Sequence, residues 1–149
     1  MQVGTSDAAA LPIETGAYLL LIDLDRSVEL PPRFRDQRLP EGHYVYAGSA
    51  YGPGGIRARC RRHLGRPSKR RWHIDWLTSA ATSVRAIPFP GGSECALIDV
   101  LSKRPEVDYP IRGFGSTDCG RCQAHLVRIA AHADGKEVDV VSQLGQPVR

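Results

Sequence analysis

The stretch Gly16-Ala-Tyr-Leu-Leu-Leu-Ile-Asp-Leu24 is apolar at both parities, with Tyr18, Leu20, Ile22 and Leu24 on one and Ala17, Leu19 and Leu21 on the other. Successive side chains of a strand point to opposite faces, so this run fits a strand buried on both sides. Working outward, His43-Tyr-Val-Tyr-Ala-Gly-Ser49 reads as a second strand able to pair antiparallel with the first, and residues 83–89 as a third, ended by Pro90-Gly91-Gly92. The intervening residues 26–42 carry Pro31, Pro32, Pro40 and many charges, and read as a long connection with an irregular stop at 28–30.

Tyr51-Gly-Pro-Gly-Gly55 leads into a helix over 56–64, stopped by Gly65 and Pro67. A second helix is expected over about 72–81 and a third over 94–103, N-capped by Ser93 and ended by Pro105. Residues 111–118 form a glycine-rich loop, and 125–130 with 138–141 read as a last hairpin around Ala133-Asp-Gly-Lys136. Residues 1–14 are small and polar, a loose lead-in. The expected fold is therefore α+β: a small, mainly antiparallel three-stranded central sheet flanked by helices, with a C-terminal extension. Residues 15–149 form one domain that includes a cysteine-containing C-terminal segment.

A chain of 149 residues fits one domain, and 42% hydrophobic content supports a core and argues against disorder. The formal charge of +4 fits a polyanionic partner. No apolar run approaches the roughly 18 residues of a membrane span, and the first residues lack the features of a signal peptide. The expected compartment is cytoplasmic, with no membrane partner and reduced cysteines.

Charged residues fall on faces where apolar ones belong. On a 3.6-residue period, Ile56, Cys60 and Leu64 mark a core stripe, and Arg59 and His63 share it while Arg57, Arg61 and Arg62 point elsewhere. In the third helix Glu94 lies on the stripe of Leu97, Ile98 and Leu101; in the second, His73 sits amid Trp72, Trp76, Leu77 and Ala80. A buried charge needs a partner, a metal or a wet cleft. An arginine can clamp phosphate oxygens and a carboxylate at a helix start can hold a divalent ion. The structural alternative is an Arg59–Glu94 ion pair at the rim of the core.

Gly16-Ala17-Tyr18, then Tyr46-Ala47-Gly48, then Arg59, then Glu94, in this order, resemble the GIY-YIG nuclease pattern. Tyr44-Val-Tyr-Ala-Gly-Ser-Ala50, Arg71-Trp-His-Ile-Asp-Trp76 and Gly113-Phe-Gly-Ser-Thr-Asp-Cys119 together resemble an uncharacterised, often stand-alone GIY-YIG-like subfamily. The resemblance implies metal-dependent hydrolysis of nucleic-acid phosphodiesters by an endonuclease or nickase. Glu94 would hold Mg²⁺ or Mn²⁺, Arg59 would neutralise charge on the phosphoryl oxygens, and Tyr18 would orient or deprotonate water with help from Tyr46 or His63. His73 and Asp118 are further candidates. Two departures stand out: the asparagine usual after the glutamate has no counterpart, since the chain contains none, and the interval from Tyr18 to Tyr46 is long.

Cys119-Gly-Arg-Cys122 with His125 has ligand types and spacing that zinc accepts, with Asp118, His63, His73 or Cys95 as candidate fourth ligands. The lack of a second Cys-x-x-Cys pair favours ordinary reduced thiols instead. Arg57, Arg61, Arg62, Arg66, Lys69, Arg70 and Arg71 form the densest basic run, suited to backbone phosphates without sequence preference. Trp72 and Trp76 could stack on bases, although helical spacing assigns them to the core. The expected partner is nucleic acid, DNA first, with a protein partner as a source of specificity. The alternatives are a non-catalytic nucleic-acid-binding module on the same fold and a zinc-stabilised interaction domain.

Overall fold

The run 16–24 forms strand β1 (Gly16–Leu24), and eight of its nine residues are buried, Asp23 being the exception. It pairs antiparallel with β4 (Gly42–Ala50) on one side and β5 (Ser83–Pro90) on the other. Tyr18, Leu20 and Ile22 join one apolar cluster, while Ala17, Leu19 and Leu21 join a second on the opposite face. Burying each large aliphatic chain contributes about 1.5–3 kcal/mol, which is why such a run commits to the sheet interior. The computed structural model describes residues 4–34, 36–66, 69–115 and 122–130.

The three expected strands are present, but among the described residues the sheet has five, in the order β5-β1-β4-β7-β6, with every pair antiparallel. The additions are β6 (Val107–Asp108) and β7 (Leu126–Ile129). The cysteine-containing segment thus enters the sheet beside β4 rather than extending from it. Val127 and Ile129 are buried in the second cluster, giving the segment an apolar reason to insert there. The partner strand expected over 138–141 lies outside the described residues. A separate two-stranded piece, β2 (Val28–Glu29) with β3 (Arg38–Leu39), interrupts the long connection near the expected stop.

Helix α1 (Gly55–Leu64) and the single turn α2 (Asp75–Thr78) cover the Tyr18 face, and α3 (Glu94–Ser102) covers the other. The buried residues of α1 include Ile56, Cys60 and His63, and those of α3 are Leu97, Ile98 and Leu101, as periodicity requires. Ser93 caps α3, its hydroxyl accepting from the Ala96 N–H at 3.4 Å. The second helix is much shorter than its apolar spacing implied, because Asp75 instead organises the turn that precedes it. Among the described residues, no helix is long and apolar enough to cross a membrane.

Residues 4–14 are tied to the domain. Thr5 bridges Ala86 in a ladder contact, Leu11 is buried, and Arg57 Nε donates to the Leu11 carbonyl at 2.7 Å. The Ile56 and Arg57 N–H groups, orphaned at the start of α1, donate to the Glu14 and Pro12 carbonyls. Gly55 has φ +60, and a Cβ there would collide with the Ile13 carbonyl oxygen, so glycine permits this close entry.

Candidate active site and its neighbouring thiols

Register sets the first feature of the site. Tyr18 lies opposite Gly48 and Leu20 opposite Tyr46, so both tyrosines project from the same sheet face. Gly48 has no side chain, and the Tyr18 ring occupies the space: a Cβ there would overlap its Cζ and Oη. Behind the ring, the Tyr18 hydroxyl and His63 Nε2 are 2.7 Å apart and buried. His63 thus lies where its stripe on α1 predicts, enclosed behind Tyr18.

A cleft of about 340 Å³ opens over this face, lined by Tyr18, Tyr46, Arg59 and Glu94 together with Ser49, Arg71, Trp72, His73, Gly115 and His125. All four residues of the ordered sequence pattern therefore share one cavity, although Glu94 belongs to the helix on the far face. It reaches the cleft because it occupies the first turn of α3, at the sheet's margin. The Arg59–Glu94 ion pair of the structural alternative is absent among the described contacts; instead Glu94 Oε2 lies 3.5 Å from His125 Nδ1. Arg59 stacks over Trp72, its guanidinium carbon 4.7 Å from the ring centroid.

Burial governs the titration of the site. It raises Tyr18 well above the ordinary tyrosine range, with Tyr46 and Cys60 adding to the effect and Arg59 opposing it. Tyr46 is likewise pushed up by burial and by Glu94. Both are phenols rather than phenolates at neutral pH. His63 is pushed down to about 4, chiefly by burial; Asp75 opposes the shift and Arg59 and Arg62 add to it. Burial and Arg33 also lower His73, whose Nδ1 accepts the Gly115 N–H at 3.0 Å, leaving its proton on Nε2.

The His63 shift sets an expected pH dependence. Its folded pKa of about 4 lies below the usual 6.5, so the unfolded chain binds the proton more readily. Stability is then full above 6.5 and falls as pH drops towards 4, by roughly 3 kcal/mol in all for this group. Urea unfolding of the protein and of His63→Gln at several pH values isolates the component from that of the carboxylates. Parallel profiles for the two proteins would rule it out.

The basic residues divide. Arg71 lines the cleft, and Arg61, Lys69 and Arg70 are exposed, Arg70 with its guanidinium 4.3 Å from the Trp76 ring centroid. Arg57 and Arg66 are engaged with backbone carbonyls, and Arg62 is drawn into an ion pair with Asp75 at 2.6 Å. Asp75 is the residue the sequence reading left without a role. Fully buried, it also accepts the N–H groups of Arg71 and Trp72 at 2.8 and 3.0 Å, all on Oδ2. Its signal was an acid three residues beyond Trp72, ahead of an apolar run, the spacing of a turn cap. Trp72 was assigned to the core and is instead 37% exposed at the cleft. The helical spacing misled because Trp72 precedes the helix.

Cys95, Cys122 and His125 form a group that could hold a metal ion, with their ligand atoms all within 4.8 Å of one another. Cys95, one of the candidate fourth ligands, is thus the described partner of Cys122 and His125, while Cys119 and Asp118 lie outside the described residues. His63 and His73 stand at other positions of the site and are not members of this group.

A family model described as Domain of unknown function DUF123 matches residues 17–145. Neither a curated protein nor a solved structure matches the chain.

Proposed function

The chain belongs to the family of the domain of unknown function DUF123, and from that premise we propose that it is a metal-dependent endonuclease or nickase of GIY-YIG type, acting in the cleft of Tyr18, Tyr46, Arg59 and Glu94. The observation that carries this reading is their convergence on one open cavity from two strands and two helices on opposite sheet faces. A mere strand preference for tyrosine would not bring a half-buried arginine and a carboxylate to the same wall.

Glu94 is the one carboxylate among the described lining residues. A lone carboxylate on an open cleft fits a largely hydrated Mg²⁺ or Mn²⁺, which asks few protein ligands of its site. Bound there, the ion would supply charge stabilisation to the leaving oxygen. The chain's own groups do the rest. Arg59, with no described carboxylate to neutralise it, faces the charge that accumulates on phosphoryl oxygens. Tyr18 serves as a neutral phenol. When His63 Nε2 accepts its proton, the Tyr18 oxygen remains open to a hydrogen bond from a water in the cleft. His63, uncharged above about pH 4, accepts the Tyr18 hydrogen bond at 2.7 Å and so fixes the phenol as a neutral group whose oxygen orients the water. Arg71 and the exposed Arg61, Lys69 and Arg70 supply the phosphate-binding margin.

The test uses labelled single-stranded, duplex and branched DNA, and RNA, with the purified chain in Mg²⁺ or Mn²⁺. Cutting that stops on chelation is the expected result. A folded protein that never cuts but binds nucleic acid with a steep salt dependence would replace this reading with the non-catalytic module.

A further inference from the structure

We propose that Cys95, Cys122 and His125 form a zinc site, and that Glu94 is the carboxylate that orients its histidine. This inference shares Glu94 with the nuclease reading but does not require that reading to hold. Zinc bound to sulfur at about 2.3 Å and to imidazole nitrogen at about 2.0–2.1 Å places ligand atoms of a tetrahedron roughly 3.5–4 Å apart. Cys95 Sγ and His125 Nε2 are already 3.9 Å apart, and the whole group spans no more than 4.8 Å. Small side-chain adjustments therefore enclose the ion. Two thiols with an imidazole suit zinc and offer little to a hard ion such as Mg²⁺.

His125 is prepared for this role. Its N–H donates to the Phe114 carbonyl and its carbonyl accepts from Ala47, both at 2.9 Å, so the backbone is fixed by β4 and the 113–115 loop. The side chain is 3% exposed, and buried Nδ1 makes no hydrogen bond among the described residues. Such an atom in a folded protein calls for an explanation. Glu94 Oε2, at 3.5 Å, supplies one. With zinc on Nε2, the ring's proton must sit on Nδ1, where it turns to the carboxylate. Metal-bound histidines are characteristically held by a carboxylate in this way.

The location gives the ion a structural task. Cys95 lies in the first turn of α3, and Cys122 and His125 lie three residues apart on the approach to β7. A shared zinc would tie the helix that carries Glu94 to the strand entry that carries His125. Three described ligands leave one tetrahedral position, and Cys95 and Cys122 both line a groove of about 670 Å³ that shares no lining residue with the cleft of Tyr18 and Arg59. His125 alone of the three lines that cleft, so the group draws ligands from the lining of both cavities.

Elemental analysis of the purified full chain after exhaustive dialysis is expected to find about one zinc per chain. Removing it and titrating with Co²⁺ should give the intense thiolate-to-cobalt absorption and the visible bands of a tetrahedral site. Cys95→Ser and Cys122→Ser, verified as folded by circular dichroism, should lose the metal. Glu94→Gln should keep the one-to-one stoichiometry but bind about 10–100-fold more weakly, as loss of a histidine's carboxylate partner does. A folded wild-type protein with neither zinc nor a thiolate–cobalt spectrum overturns the proposal, with no variant needed. So does full zinc content in folded Cys95→Ser. Because none of these readouts involves cleavage, loss of the zinc site and loss of nuclease activity are separately visible.

Discussion

Arg59→Ala is expected to slow metal-dependent cleavage about a thousandfold, roughly 4 kcal/mol of transition-state stabilisation, while the protein stays folded. The side chain stands half-buried on the cleft wall, stacked on Trp72, with no described carboxylate to neutralise it. Its removal costs the fold one cation–π contact, worth about 1 kcal/mol at an exposed site. On the proposed mechanism, the same removal would leave the charge on the phosphoryl oxygens without the guanidinium that stabilises it. Arg59→Lys should recover only part of the rate, since a point charge cannot reproduce the planar fork. Glu94→Ala should be at least as damaging, but it also removes the partner of His125, so Arg59 gives the cleaner measurement. Steady-state kcat/KM in Mg²⁺, with thermal unfolding as the control, decides it. Activity within tenfold of wild type in a folded Arg59→Ala protein would sink the assignment of this cleft.

The second large effect is on stability. Asp75→Ala should cost about 3–5 kcal/mol, the usual consequence of removing one partner of a buried ion pair. A single oxygen of Asp75, with no exposed surface, receives Arg62 Nη2 at 2.6 Å and two backbone N–H groups. Alanine leaves those two donors unsatisfied beneath α2 and Arg62 without its counter-charge. Because the donors belong to Arg71 and Trp72, both cleft residues, binding should weaken along with the fold. Asp75→Asn keeps an acceptor in place and should cost less, about 1–3 kcal/mol, since what it loses is the charge. Urea denaturation measures both. A loss below 1 kcal/mol for Asp75→Ala would mean that water replaces the carboxylate and that the turn does not depend on it.

The elements legible in the sequence were those whose signal is local. Two-sided hydrophobicity located β1 because burial on both faces removes alternation, and a 3.6-residue stripe located α1 and α3 because helix geometry repeats over a few residues. Ser93 and Pro105 bounded α3 for equally local reasons. Those stripes also singled out Arg59, His63 and Glu94, since a charge among apolar positions is visible without a fold. Around α2, where the apolar spacing ran from Trp72 to Ala80 across a preceding turn as well as the helix, it overstated the helix and misplaced Trp72.

Tertiary structure alone decided which distant pieces meet. Insertion of Leu126–Ile129 beside β4 made a five-stranded sheet of the expected three and carried His125 to Cys95, thirty residues away along the chain. The packing of α1 against β1 and α2 gave Arg62 the Asp75 carboxylate as a partner and put His63 behind Tyr18. Chain spacing cannot encode such encounters, because they depend on strand order and on which side of a shared sheet each helix packs. The sequence by itself determined the class of fold and the chemistry the chain carries; the order of strands decided which of those groups share a cavity.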